Sequence, residues 1–310
     1  MSTQSYDTSQ PFTIGTRGSP LALAQAEETR DRLIAAHGMT KEQFAIKVIK
    51  TTGDAVQDRP LSEIGGKGLF TKEIEEELLA GTIHIAVHSM KDVPTVLPEG
   101  LHISTVLPRE TVRDAFISND FQSIEDLPEG ATFGSSSLRR RAQLLAIRPD
   151  LKMVEFRGNV QTRLRKLHDG IAAATLLARA GLSRLGQSDL GQDVPEGTLL
   201  PAIAQGAIGI EQRTGDDATT ALLAPIHHRE SEIRIAAERA FLRTLDGSCR
   251  TPIAGLARIS GAELQFSGEV LRPDGSEVVK TSRSGPVSEA EAMGVDAAQE
   301  LIKRGASKFF

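Results

Sequence analysis

The opening stretch of the chain, up to Val48, allows few folds. Phe12 to Arg17 reads as a short strand, and Gly18-Ser19-Pro20 opens a helix directly after it. Ser19 is a good N-cap, and Pro20 falls at the first helical position, where its missing N–H costs nothing. Gly38 suits the residue just past a helix end, where a left-handed backbone is common. Phe44, Ile46 and Val48 then alternate with other residues, the period of a pleated strand. Strand, helix and strand at this spacing predict a parallel βαβ unit and hence an α/β fold.

A chain of 310 residues exceeds what one core usually serves, so two or three domains are expected. The net charge of −5 argues against a general nucleic-acid or anionic-membrane binder. Basic residues nevertheless gather locally, at Arg139, Arg140, Arg141, Arg148, Lys152, Arg157, Arg163, Arg165 and Lys166. An acidic chain with one basic cluster points to a small polyanionic ligand held in a cleft, although any single one of these residues reads equally as a solvated surface charge. Cys249 is the one cysteine, which excludes an intrachain disulfide and a Cys-rich metal site. The polar residues up to Gln10 read as a disordered tail without the apolar core of a secretory signal. No stretch reaches the roughly 18 apolar residues of a membrane span. A cytoplasmic protein is expected.

The candidate catalytic stretch is Val87-His88-Ser89-Met90-Lys91-Asp92-Val93-Pro94. Ile83, Ile85 and Val87 alternate as a strand, and the alternation stops where Lys91 and Asp92 stand side by side. Val93 before Pro94 is pushed toward extended geometry and keeps the corner out of helix. Ligands of open α/β sheets bind beyond the carboxyl ends of strands, which makes Asp92 the candidate catalytic carboxylate. His84 and His88 share one strand face. Without an acidic or thiol partner close in sequence they read as structural histidines rather than metal ligands.

Ahead of that strand, Gly65-Gly66-Lys67-Gly68-Leu69-Phe70 leads into a helix with Phe70, Ile74 and Leu78 on one face. It misses the phosphate-binding G-x-x-x-x-G-K pattern, since Leu61 holds the first glycine position and Gly68 follows the lysine. A flap over a cleft is the better reading, because glycines permit hinge-like angles. After the strand, residues 101–114 read as extended and hinge-like. A second α/β unit follows, with a strand at 131–134 ending in Ser135-Ser136-Ser137 and a helix opening at Leu138-Arg139-Arg140-Arg141. The pattern repeats at Phe156-Arg157-Gly158-Asn159 before a helix lined by Val160, Leu164 and Leu167. Serine hydroxyls, free N–H groups at helix starts and arginines together make an anion site. A strand is expected at 172–177, a turn at Gly181–Gly186, and a strand over 201–211 that returns to the first domain. Residues 231–245 form an amphipathic helix, followed by a loop from Asp246 to Pro252. Strands at 253–259, 263–270 and 277–282 and a last helix, capped by Ser288 with Glu291, complete a small α+β domain.

Cys249 precedes Arg250 in a Gly-Ser/Pro loop, and a neighbouring cation lowers a thiol's pKa. Residue chemistry leaves two roles open for it, nucleophile or covalent anchoring point.

Taken in order, these stretches resemble the porphobilinogen deaminase (hydroxymethylbilane synthase) family of tetrapyrrole biosynthesis. The resemblance rests on Ile14-Gly15-Thr16-Arg17-Gly18-Ser19-Pro20-Leu21-Ala22, Thr51-Thr52-Gly53-Asp54, Gly66–Phe70, Ala86–Pro94, Gly134–Arg140, Arg157-Gly158-Asn159-Val160, Arg184-Leu185-Gly186 and Gly247–Pro252. It implies two α/β domains of the periplasmic-binding-protein type joined by hinge strands, at 1–107 with 204–226 and at 108–203, and a small α+β domain at 227–310. It implies a dipyrromethane cofactor joined to Cys249 by a thioether. It also implies the reaction: four porphobilinogen molecules condense head to tail, each losing ammonia, and water releases hydroxymethylbilane. Asp92 matches the family's catalytic aspartate. Arg17, Arg139, Arg140, Arg157, Arg163 and Arg184 match residues that bind acetate and propionate groups. Ser19, Lys91 and Ser137 match further contacts, and Lys67 lies in the matching flap. No metal is implied, and a monomer with no nucleic-acid or membrane partner is expected.

The chemistry agrees with that assignment. Loss of ammonia from an aminomethylpyrrole leaves an electron-poor azafulvene, and a carboxylate beside the pyrrole N–H stabilises its charge. Flap closure would exclude water from it. The chain departs from the family pattern at His84, Ala173, Arg179 and Ala204, which bears on domain packing more than on activity. The rival reading is a non-catalytic two-lobed binding protein for a small polycarboxylate. The missing signal segment and a carboxylate facing an arginine-lined cleft disfavour it. A thiol hydrolase would need His88, His227 or His228 beside Cys249.

Overall fold

The computed structural model describes residues 10–55, 68–248 and 251–309. Their strands, in chain order, are β1 (Phe12–Arg17), β2 (Phe44–Ile49), β3 (Ile85–Ser89), β4 (Leu101–Val106), β5 (Asp114–Ser118), β6 (Thr132–Gly134) and β7 (Lys152–Val154). Then come β8 (Ala174–Ala178), β9 (Gln192–Asp193), β10 (Ile208–Arg213), β11 (Ile253–Ser260), β12 (Glu263–Leu271) and β13 (Val278–Pro286). The helices are α1 (Pro20–His37), α2 (Thr52–Ala55), α3 (Lys72–Leu79), α4 (Leu138–Ile147), α5 (Val160–His168), α6 (Arg179–Arg184), α7 (Asp217–Leu223), α8 (Arg229–Thr244) and α9 (Ala290–Lys303). The chain forms two compact units. One comprises Met1–Val56, Gly66–Glu110 and Ala207–Glu232; the other contains Thr111–Gly206 and Ile233–Phe310.

The first unit holds a five-stranded sheet in the order β2-β1-β3-β10-β4. β1 runs parallel to β2 and β3, and β10 is antiparallel to β3 and β4. The βαβ expectation holds in detail. Ser19 accepts from the Ala22 N–H, Pro20 starts α1, and Gly38 closes it at φ 64°. The sheet is covered on both faces: Phe12, Ile14, Leu33 and Val87 pack on one, Ile49, Ile74, Leu78 and Ile83 on the other. β3 is therefore a continuous buried run rather than an alternating one, as central strands of two-sided sheets are.

The second unit repeats that plan in a sheet ordered β7-β6-β8-β5-β9. β6 is parallel to β7 and β8, and β5 is antiparallel to β8 and β9. The same unit carries the antiparallel sheet β11-β12-β13 with α9 packed against it. Two α/β sheets of matching order and a small antiparallel sheet are the architecture expected from the sequence.

Four local expectations are corrected. Gly181–Gly186 is not a turn: residues 179–184 form α6, because Ala180, Gly181 and Leu182 are buried against the unit's core, and only Gly186 turns left-handed, at φ 68°. The last helix does not begin at a Ser288 capping box. A short 3₁₀ turn, Val287–Glu289, precedes α9, and the Glu291 carboxylate accepts from Arg243 at 2.5 Å instead. Phe70 lies outside α3, which begins at Lys72. β10 starts only at Ile208, since Ala204 takes a left-handed backbone, φ 58°, incompatible with a strand.

Candidate active site

In the first unit, β1 and β3 are neighbouring parallel strands whose carboxyl ends carry Arg17 and the segment leading to Asp92. After Ser89 the chain makes a 3₁₀ turn through Met90, Lys91 and Asp92, and Val93 returns to extended geometry before Pro94. The Asp92 side chain keeps 32% of its surface exposed, with Arg17 Nη1 at 3.9 Å from its Oδ2. The Arg17 guanidinium lies 4.2 Å over the Phe70 ring, which restricts where that cation can go. Ser19 follows at the start of α1, its hydroxyl oxygen committed to the helix cap. Lys91 sits half-buried on the Asp92 turn. Arg17, Ser19, Lys91 and Asp92 thus share one end of one sheet.

In the second unit, β6 and β7 are parallel neighbours, and each is followed by a helix opened by a side-chain cap. Ser137 accepts from the Arg140 N–H at the start of α4, and Asn159 accepts from the Thr162 N–H at the start of α5. Serine hydroxyls tie the two loops: Ser136 Oγ accepts from the Phe156 N–H at 2.9 Å. Gly134 has no room for a side chain, since a Cβ there would lie 2.5 Å from the Phe156 ring. Arg157 and Arg163 are half-buried at the second helix start, with Arg163 Nε donating to the Gly158 carbonyl. Arg184, at the end of α6, donates to the Gly206 carbonyl at 3.1 Å.

Arg139 and Arg140 are deeper than the sequence implied. Both are buried, and both donate to Asp114, the first residue of β5. Arg139 Nη2 lies 2.7 Å from Oδ2, while Arg140 places Nη2 at 2.7 Å from Oδ1 and Nε at 3.2 Å from Oδ2. Gln205 adds a donor 2.9 Å from Oδ1. Burial alone would raise the pKa of Asp114; the two adjacent guanidinium charges outweigh it and hold the carboxyl well below the usual range. A second buried acid, Glu269, acts on Arg139 from the far side of Gln143, so the two guanidinium groups at the start of α4 are largely matched by carboxylates. Asp114 and Gln205 were not among the expected site residues, because their partners are distant in the chain: Asp114 is 26 residues from Arg140 and 91 from Gln205.

The histidines of β3 are structural. His84 Nδ1 accepts from the Thr13 N–H at 2.9 Å, and its ring stacks on Phe12. His88 Nε2 meets Glu211 Oε2 at 2.8 Å, a partner supplied by β10. The other departures also have structural uses. Arg179 pairs with Asp193 and donates to the carbonyls of Ser188, Leu190 and Gly191. The Ala204 N–H donates to buried Glu238, whose other oxygen accepts from the Ala257 N–H of β11. Ala173 packs at the edge of the second unit's core. Lys67 and Cys249 lie outside the described residues. Flanking the latter, Ser248 and Thr251 are joined by three hydrogen bonds, two from Thr251 to the Ser248 carbonyl.

Comparison with known proteins covers almost the whole chain. Residues 12–221 match the family model described as porphobilinogen deaminase, dipyromethane cofactor binding domain, and residues 232–303 match that of porphobilinogen deaminase, C-terminal domain. The porphobilinogen deaminase of Paracoccus denitrificans is 62% identical over 309 residues, 99% of each chain. That of Nitrobacter winogradskyi is 57% identical over 299 residues, 96% of this chain and 95% of its own. Among solved structures, DctP7, a Bordetella pertussis extracytoplasmic solute receptor binding pyroglutamic acid, aligns with a TM-score of 0.40 at 12% identity, covering 73% of this chain and 79% of its own.

Proposed function

The chain belongs to the porphobilinogen deaminase family, and on that footing we propose a site residue by residue for the condensation of four porphobilinogen molecules into hydroxymethylbilane. The observation that carries the assignment is Asp92, a part-exposed carboxylate held beyond the carboxyl end of a buried strand with a cation 3.9 Å away. A second carboxyl-end acid of that kind is not needed, because one carboxylate can both face a developing cation and exchange a proton with a departing amine.

Asp92 accepts the substrate's pyrrole N–H, stabilises the positive charge that appears on the ring as ammonia leaves, and carries protons at its Oδ atoms. Arg17 limits where that carboxylate swings and binds a substrate carboxylate. Arg157, Arg163, Arg184, Lys91, Lys67, Ser19 and Ser137 bind acetate and propionate groups. Arg139 and Arg140, fixed by Asp114, hold the start of α4 and complete the binding set. Two capped helix starts beside arginines form a donor set suited to a polycarboxylate, which is the chemistry of a dipyrromethane. That cofactor supplies the pyrrole terminus to which substrate is added, and Cys249 is its thioether anchor. The domain division at 1–107 with 204–226, 108–203 and 227–310 is part of the same reading. So are a monomer and a cytoplasmic location; no helix among the described residues is long and apolar enough to cross a membrane.

Intact-protein mass spectrometry and porphobilinogen consumption test the assignment together. The wild-type chain should carry an adduct of two linked pyrroles, absent from Cys249→Ser. Asp92→Asn should keep its fold and lose turnover. An unmodified thiol on active protein would remove Cys249 from its role, and near-normal consumption by Asp92→Asn would do the same for Asp92.

A further inference from the structure

Asp92 is held in place by the strand that precedes it, and that strand is unevenly supported. On the β1 side, β3 is paired at Ile85 and Ala86; on the β10 side its pairing continues from Ala86 to Ser89. The last residues before the catalytic turn therefore depend on β10 and on side chains. Three ties meet there. Ser89 and Gln25 of α1 exchange hydrogen bonds, amide to hydroxyl at 2.9 Å and hydroxyl to amide at 3.1 Å. The Met90 N–H donates to the Ala207 carbonyl, and its side chain lies over Gly209, where any Cβ would overlap it. The third tie is His88 to Glu211, 2.8 Å, with side chains only 4% and 0% exposed.

That third tie is an odd one for a strand interior. Glu211 Oε1 is buried with no hydrogen-bond partner, so the carboxylate's one ligand is the imidazole. A carboxylate buried with half its acceptors idle costs stability, and an apolar residue of the same volume would hold two strands together more cheaply. Glu75 of α3 and Thr71 just before it are buried, and Glu75 lies within charge range of both Glu211 and His88, with Glu73 a further acid beside it. The charge of Glu75 acts on both His88 and Glu211, and the bond between those two fixes the orientation of the ring. What this arrangement gains is direction: the bond holds the His88 ring toward β10 and adds a side-chain tie to the β3–β10 register.

Resting on the assignment of Asp92 above, we propose that Glu211 is a positioning residue for the condensation, acting through His88 to set where Asp92 stands. Its effect falls on the chemical step rather than on substrate affinity, since both side chains are buried away from the surface that would receive substrate. The test compares Glu211→Met, which removes the acceptor at similar volume, with Glu211→Gln, which restores an oxygen to His88. Glu211→Met should lower kcat by about 10- to 100-fold, the scale on which small misplacements act, with KM within about twofold. Glu211→Gln should recover most of that loss. Cofactor load, read by mass, should match wild type in both. If Glu211→Met does not fold, His88→Met cuts the tie from its other end and is read the same way. The inference is overturned by a wild-type kcat in the Met variant, by a loss the Gln variant does not relieve, or by a loss carried by KM. A wild-type chain that neither loads two pyrroles nor consumes porphobilinogen would instead overturn the assignment itself.

Discussion

Replacing Asp114 with Asn isolates the buried charge network at the start of α4. The carboxylate is 1% exposed and takes donors from Arg139, Arg140 and Gln205 at 2.7 to 3.2 Å. Asparagine keeps the shape but turns one acceptor into a donor that faces two guanidinium groups. Cutting one partner out of a buried ion pair costs about 3–5 kcal/mol, and the oxygen that Asn retains argues for the lower half of that range. A unit of this size loses about 2–4 °C of Tm per kcal/mol, so calorimetry at pH 7 should find Asp114→Asn melting about 6–15 °C below wild type. The pH dependence has a definite sign. Asp114's folded pKa lies below its unfolded one, so its stabilisation is complete above the unfolded value, about pH 4, and is lost as pH falls through the folded value. The gap between variant and wild type should therefore be flat from pH 8 to about pH 5 and close in stronger acid. A variant melting within about 2 °C of wild type at pH 7, or a gap that widens on acidification, refutes the argument.

Glu75 should show the opposite sign. Burial raises its pKa above the unfolded value, so wild-type stability is eroded as pH rises through the folded pKa. Glu75→Gln should be neutral near pH 4 and gain in urea midpoint toward pH 8; a gain largest in acid would contradict this. Gly294→Ala tests the contact between α8 and α9, where an added Cβ would overlap the Ala237 carbonyl. Backbone cannot yield cheaply, so a loss of about 1–3 kcal/mol is expected by chemical denaturation. Arg179→Ala strips the cation that gathers Asp193 and three carbonyls of the 188–191 loop. Amide exchange in that loop should quicken while that of β8 stays slow.

The departures from the family pattern gain meaning from these contacts. Arg179 is not a surface accident but the hub of its loop. Ala204 accepts a left-handed backbone, which costs an L-residue about 1–2 kcal/mol, and the buried Glu238 carboxylate receives its N–H. His84 exchanges a charged position for a ring stacked on Phe12, where burial holds its pKa down.

Elements whose cause is local were legible in the sequence. Ser19, Pro20 and Gly38 act within one turn of α1, and the caps at Ser137 and Asn159 act three residues ahead. Strand periodicity, turn residues and the ordered motifs together were enough for the α/β plan and the family, and they singled out Asp92 as the proposed catalytic carboxylate. Tertiary structure alone decided the partners. Asp114 meets Arg140 across 26 residues and Gln205 across 91, and His88 meets Glu211 across 123. Such pairings leave no period in the chain, because a side chain's charge is written locally while its counter-charge is chosen by which strands become neighbours. Arg139 and Arg140, read as open anion donors, were for that reason already paired with Asp114, and the histidine read as merely structural is one of three ties on the segment before Asp92.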